Sequence, residues 1–496
     1  MNPRLRTTLI TLFCAVLAVW LGWKVAEGSY FWPGLAAAAA IGAVSVRLLR
    51  LPLDVIVCGW LLIGYIAGNR GFAQLMPAPG IPLLPAEAAL LLACSWRFVA
   101  AAVERRLPFR RDALDWAVLA FLAVGGVRLV FDFPRFGFLA LRDSAMVYYA
   151  LFFFLAREMA RDRAAARYLL GCALVGCALL PPLFALYTLF PSVFLERLTV
   201  HGVPLVFYKG DLMNTYFAAG SLLLFLLARG LAQPLLRLVA SGMFLYVLAG
   251  DNRASLLGLL AATALLAVAR RWRYPLWQVA GAGLAAIVVG GLAHFADNAW
   301  AERKLAGFAD RARSVTDVFG LRAYASEESG YKGDNNRFRY IWWRNVLVDT
   351  WTQNPVLGLG FGADLAGSFL QEYYPDSAEE FTARSPHNYH LSVFGRLGLV
   401  GVAAWLWVCL ALAQCGWRSL RQDHDAAGWA LWSVVTVIVV SASFGVVLEG
   451  PMGAVPFWMI AGLAASRLTK QPEPAPAASG EAAPATPEPA AGAGHR

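Results

Sequence analysis

The chain has 496 residues, 59% of them hydrophobic and 15% charged, against the roughly 25% charged expected of a soluble globular domain. That balance excludes an ordinary soluble enzyme. The 42 Lys and Arg exceed the 32 Asp and Glu to leave a net charge of +10, and in so apolar a chain the excess reads as membrane topology before nucleic-acid binding.

The start, Met1 to Arg6 followed by an apolar run from Leu9 to Trp23, imitates a signal peptide in outline. Bulky Trp20, Leu21, Trp23 and Lys24 stand where a cleavage site needs small residues, so the segment reads as a first membrane span. About fourteen hydrophobic stretches approach the roughly 20 residues needed to cross a bilayer. They centre on Val16, Ala38, Leu61, Leu90, Leu119, Ala150, Val175, Leu222, Met243, Leu260, Leu284, Val402, Val437 and Met459. The expected class is an all-α polytopic integral membrane protein with about 14 transmembrane helices. The cysteines Cys14, Cys58, Cys94, Cys172, Cys177, Cys409 and Cys415 fall in or beside these stretches without a CxxC pair, and read as small packing residues.

Two gaps between spans exceed a tight turn, one from Pro191 to Asp211 and one from about Asp297 to Pro386. The expected organisation is N-terminal spans over 1–190, central spans with an outer loop over 191–297, a large outer-loop subdomain over 298–386, C-terminal spans over 387–470 and a tail over 471–496. A cytoplasmic N-terminus sends inside the loops carrying Arg47 and Arg50, Arg105 to Arg111, Arg157 to Arg167, and Arg418 and Arg421, as the positive-inside bias requires. Both termini are then cytoplasmic and both long loops face outward. The tail is nearly all Pro, Ala, Glu and Gly, too poor in large apolar groups to offset the entropy of ordering it. No internal repeat is visible.

The large outer loop concentrates charge, Gly and aromatics between Glu302 and Arg384. Within it Phe338, Ile341, Trp342, Asn345, Val346 and Trp351 approximate helical spacing, with Arg337, Arg339 and Arg344 nearby. This predicts a surface-lying amphipathic helix with arginines at the depth of lipid phosphates, or one that merely anchors the loop. Asp251 and Asn252 suit the N-cap of the next span, which puts Arg253 at the positive end of a helix dipole. That setting favours a diphosphate, the plainer alternative being an interfacial anchor or a salt bridge to Asp251.

The loop ends with His387 and Asn388 before a span carrying Gly395, Gly398 and Gly401. Those glycines let another helix approach closely. The imidazole of His387 suits proton transfer from a sugar hydroxyl, the plainer alternative being a helix cap. Asn388, Asn214 and Lys209 are candidates to hold an acceptor or a diphosphate, although Asn at a helix start also serves as a cap. His387 and His390 share a helical spacing, yet no nearby Cys or carboxylate completes a zinc site, so no metal and no cofactor are expected. Walker, dinucleotide and Gly-x-Ser-x-Gly signatures are absent from the sequence.

Taken together, His387-Asn388, nine residues, Gly398, two residues and Gly401 resemble the signature of the bacterial O-antigen ligase and polymerase superfamily. Arg339 to Trp343 with Asn354, Pro355, Gly358, Gly360 and Gly362, Gly210 to Ala218, and Asp251 to Ala254 are similar to that family's other segments, in the same order, over about Pro191 to Gly401. The first six spans carry no matching motif. The resemblance implies a membrane-embedded glycosyltransferase of the GT-C type at the periplasmic face of the inner membrane, metal-independent and inverting. It further implies a glycan donor on undecaprenyl diphosphate, Arg253 and Arg339 as diphosphate ligands with Arg337 as a neighbour, and His387 as base. In a ligase the acceptor is the lipid A core, in a polymerase another lipid-linked glycan, and in a related branch a protein hydroxyl. A reading of another class is a transporter for lipid-linked glycans, which would place ionisable residues such as Arg97, Arg128 and Arg396 deep in spans.

Overall fold

A computed structural model of the protein describes residues 16–24, 26–27, 31–76, 83–105, 109–250, 252–269, 271, 273–296, 327–374, 384–422 and 426–468. The expected tail, residues 297–326 and 375–383 of the large loop, Asp251 and Cys14 lie outside them.

The described chain is almost entirely helical. In order it forms α1 (16–24), α2 (Phe31–Leu49), α3 (Leu53–Ile63), α4 (Pro85–Val103), α5 (Ala113–Phe136), α6 (Phe138–Tyr148) and α7 (Leu151–Met159). There follow α8 (Arg163–Leu189), α9 (Gly210–Leu227), α10 (Gln233–Ala249), α11 (Arg253–Val268) and α12 (Arg273–Ala296). The loop helices α13 (Glu327–Gln353) and α14 (Gly367–Tyr373) precede α15 (Tyr389–Gln422), α16 (Ala426–Ala442) and α17 (Pro451–Leu468). Strands β1 (Thr199–Val200) and β2 (Val203–Pro204) pair as a small hairpin in the first outer gap.

Every expected span centre lies on a helix except Ala150, which sits in the break between α6 and α7 where the chain bends by 43°. Among the described residues eight helices are long and apolar enough to cross a membrane, or nine if that bent pair is one span. The expected number was about fourteen. Helices α11 and α16 are apolar but have 16 and 17 residues, just under the roughly 20 needed to span hydrocarbon without tilt.

Helix α9 is the hub. It is apolar all round, buried over most of its length, and packs on α8, α10, α11 and α16, as an encircled helix must. Its N-terminus is therefore fixed on several sides. Helix starts carry the expected chemistry: Asp112, Asp162 and Asn252 accept hydrogen bonds from first-turn amides of α5, α8 and α11. The six described cysteines are all free.

The deep arginines are paired. Arg97 meets Asp54 at 2.6 Å, Arg128 meets Asp132 at 2.8 Å and Arg396 meets Asp143 at 2.9 Å. Asp132 and Asp143 also accept from the amides of Phe361 and Gly362, so motif-free spans of the first half hold the glycine-rich loop of the second.

The glycines of α15 work differently from expectation. Gly395 does face a helix, with Val346 of α13 against it. Gly398, however, breaks α15 with φ 62°, and the amides of Leu399 and Val400 then donate to the carbonyls of Pro355 and Val356. Gly358 approaches from the loop so closely that a side chain on either residue would strike the other's backbone at about 2.5 Å. The close neighbour of Gly398 is thus a loop, because a positive-φ break frees backbone groups that only another irregular segment can satisfy. At Gly401 the nearest neighbour of an added side chain would be Leu397 of its own helix.

The amphipathic helix exists as α13, and its apolar face is a packing face. Trp342 and Val346 are buried with Phe369 and Leu370 of α14, Trp342 stacks on Phe369 at 4.6 Å, and the Trp342 indole donates to the Leu365 carbonyl. Trp351 lies outside that face and is exposed.

Candidate active site

Four helices and one bend converge at one end of the bundle. The N-terminus of α9 brings Lys209 and Asp211, α11 brings Arg253, α13 brings Arg339, and the turn before α15 brings His387. The bend Ser443–Gly450 between α16 and α17 closes the group, with Gly445 against the Asp211 carboxylate.

Each position has a local cause. The Lys209 amide donates to the Asn69 side chain at 3.1 Å, and Asn69 itself holds a left-handed φ of 55° where a π-helical turn, Gly64–Gly68, interrupts the span begun by α3. Asn252 caps α11 by accepting from the Ser255 amide at 2.9 Å, which puts Arg253 in the first turn, where anions are favoured. On α13, Trp342 is anchored on one side and the Trp343 indole donates to the Pro386 carbonyl at 2.7 Å. Arg339 is thereby tied to the turn that carries His387.

The electrostatics show which arginine joins the group. Burial, and next the neighbouring Arg253 guanidinium, hold Arg339 below its ordinary pKa, while Asp211 opposes them. No hydrogen bond or ion pair joins Arg339 to another described residue. Arg344 instead pairs with Glu372, which also accepts from Asn345 at 3.0 Å. Arg337 is exposed, about 200° around the helix from Arg339.

His387 sits at φ 53°, its amide donating to the Ser385 hydroxyl at 3.2 Å and its ring edge-on to Trp342. Its imidazole makes no hydrogen bond to another described residue. Burial lowers its pKa to about 4, followed by Lys209 and Arg339, with Asp211 acting upward. The ring is thus neutral at neutral pH, with one nitrogen carrying the proton and the other available to accept one.

His390 is the contrary case. Its Nδ1 accepts from the Trp405 indole at 2.8 Å, which makes Nε2 the donor to Ser443 at 3.0 Å. Both nitrogens serve the packing of α15. Among the described residues no three His, Cys, Asp or Glu side chains converge on a point that would hold a metal. Asn388 caps α15, its oxygen accepting from the amides of His390 and Leu391. Asn214 turns its amide onto the Gly210 carbonyl at 2.6 Å.

Two acidic residues at this site were not singled out from sequence. Asp211 lies 3.8 Å from the Lys209 ammonium, with one buried oxygen that no other group hydrogen-bonds among the described residues. Glu449 accepts from Ser392 at 2.7 Å. The usable signal for Glu449 was its isolation, a single carboxylate between two apolar runs.

The sequence model of the O-antigen ligase family matches residues 238–406. That stretch of the chain is similar to the O-antigen ligase family. The match covers well under half the chain and includes Arg253, Arg339 and His387, and it bears out the resemblance to the ligase and polymerase superfamily. It supports a function of the ligase and polymerase type in a multi-pass membrane protein. Lys209, Asp211 and the bend with Glu449 lie outside the matched stretch. No curated protein matches the chain.

Proposed function

We propose that this protein is an O-antigen ligase-like glycosyltransferase, moving a glycan from undecaprenyl diphosphate to a sugar hydroxyl of the lipid A core. The reaction takes place at the periplasmic face of the bacterial inner membrane, in a GT-C-type fold of about 14 spans with both termini cytoplasmic. The observation that carries the reading is a buried histidine within electrostatic reach of Lys209 and Arg339, with Arg253 in turn beside Arg339 and with ring nitrogens that no other described residue hydrogen-bonds.

A diphosphate brings at least two negative charges, which suit several cations that share the Asp211 carboxylate. Guanidinium forks bind phosphate oxygens in two-point fashion and stabilise the charge that grows on the leaving group. His387 takes the proton of the acceptor hydroxyl as its oxygen bonds to the anomeric carbon. The carbon to diphosphate bond breaks on the opposite face, inverting the sugar and releasing undecaprenyl diphosphate. Helix α13 and the rest of the large loop would cover the site and limit hydrolysis. Donor anions offset the field of Lys209 and Arg339, so the base strengthens when the donor is seated.

Arg97, Arg128 and Arg396, the ionisable residues that a transporter would place in its spans, each have an aspartate partner, which gives them a helix-holding role that needs no transport path. The test is transfer by the reconstituted protein from its native undecaprenyl diphosphate-linked glycan, with and without lipid A core. Transfer that requires lipid A core and falls to a small residue in His387→Ala supports the ligase. Elongation without that acceptor would make the protein a polymerase, and turnover near wild type in His387→Ala would remove the base assignment.

A further inference from the structure

The turn that carries His387 is held from two directions. On one side the Trp343 indole grips the Pro386 carbonyl. On the other, a carboxylate from a distant part of the chain reaches in. The Ser385 hydroxyl, which accepts from the His387 amide at 3.2 Å, is itself hydrogen-bonded to Glu449. A serine has one proton to give, so with its oxygen accepting from the amide, that proton goes to the carboxylate. Ser392, on the first turns of α15, donates to the same carboxylate at 2.7 Å.

From these contacts we infer that Glu449 is a positioning residue for His387, clamping the turn Ser385–Ser392 at both ends and so fixing the imidazole against the diphosphate site. The inference rests on the reading of His387 as base. A non-glycine residue at positive φ persists only where its surroundings over-determine it, and His387 is such a residue, with φ 53°. Glu449 supplies that constraint through side-chain bonds to both flanks rather than through contact with the ring. Burial raises the pKa of Glu449, while the two serine donors and the charges of Arg396 and Lys209 favour the ionised form that accepts both hydroxyls.

The same bend makes further contacts to the site end. Ser443 engages His390, Phe444 lies against Trp343 at 6.2 Å, and Tyr216 of α9 donates to the Met452 carbonyl just beyond it. A segment outside the O-antigen ligase match thus completes the geometry of residues inside it.

The test uses full-length protein in nanodiscs with its native lipid-linked donor, comparing wild type, Glu449→Gln, Glu449→Ala, His387→Ala and the Glu449→Ala/His387→Ala double variant. Displacement of a reacting group by about 1 Å costs on the order of 10²-fold in rate. Glu449→Ala is expected to lower kcat by about that factor with KM for the donor unchanged. Glu449→Gln, whose one amide oxygen serves two hydroxyls less well, is expected to fall between. In the His387→Ala background, Glu449→Ala should remove nothing further from the residual transfer. Should Glu449→Ala fail to fold, Glu449→Gln and its combination with His387→Ala carry the same comparison. An inactive His387→Ala beside a Glu449 variant within about twofold of wild type overturns the inference alone, as does a Glu449 loss of equal size with and without His387. A fully active His387→Ala overturns the base reading and the positioning role together.

Discussion

The two ends of α15 hold arginine in opposite ways. At the end away from His387, within electrostatic reach of Cys415, Arg157 lies between Asp112 and Asp115 and is 3% exposed. At the His387 end, Arg339 feels Arg253, His387 feels Lys209 and Arg339, and the Asp211 carboxylate acts on both Arg339 and His387. Cations matched one by one to carboxylates satisfy themselves and hold helices together. Arg339 and His387, by contrast, feel more than one neighbouring cation and the single carboxylate Asp211, and perturbed groups gathered in this way make a candidate binding site.

Breaking the matched end should cost the fold. Arg157→Ala leaves Asp115 buried without its guanidinium, a loss of about 3–5 kcal/mol, seen as a collapse in the yield and thermal stability of purified protein. Breaking the His387 end should cost only chemistry: Arg339→Ala should keep the thermal midpoint while turnover falls on the order of 10²–10³-fold. If Arg339→Ala unfolds the protein as Arg157→Ala does, the distinction between the two ends fails.

Gly398, between the ends, should show the smaller cost of a backbone constraint. Gly398→Ala places a side chain at φ 62° and within 2.4 Å of the Val356 carbonyl, which costs about 1–3 kcal/mol for the conformation alone and is read by chemical denaturation in detergent.

The pH profile sharpens the comparison further. With His387 at a pKa of about 4, the neutral base persists down to that pH, so kcat/KM should fall only as pH drops through about 4. Lys209 pushes this pKa down and Asp211 pushes it up. Lys209→Ala should therefore move the acid limb to higher pH and Asp211→Asn to lower pH. Shifts in the opposite directions would separate His387 from these charges.

Much of the fold was legible because membrane helices announce themselves locally. Apolar length marked thirteen of the expected centres, and Asn252 was readable as a cap from its place before a span. What stayed hidden was set by partners far along the chain. What sets Arg339 apart from Arg337 and Arg344 is the Trp342 anchor and the Arg344–Glu372 pair, which no spacing rule reveals. The sequence around Gly398 suits helix packing, because a glycine's sign of φ does not show in sequence; only the facing loop at Pro355–Gly360 decides it. Asp211 and Glu449 escaped for the same reason, since each acquires its role from residues brought in across the bundle.

The measurement closest to the central claim is binding of undecaprenyl diphosphate to the purified protein in nanodiscs, comparing Arg339→Ala with Arg344→Ala at low and physiological salt. The account predicts that Arg339→Ala loses most of the affinity while Arg344→Ala, whose guanidinium is occupied by Glu372, binds as wild type does. Equal losses in the two variants, or none in either, would contradict a diphosphate site built on Arg253, Arg339 and His387.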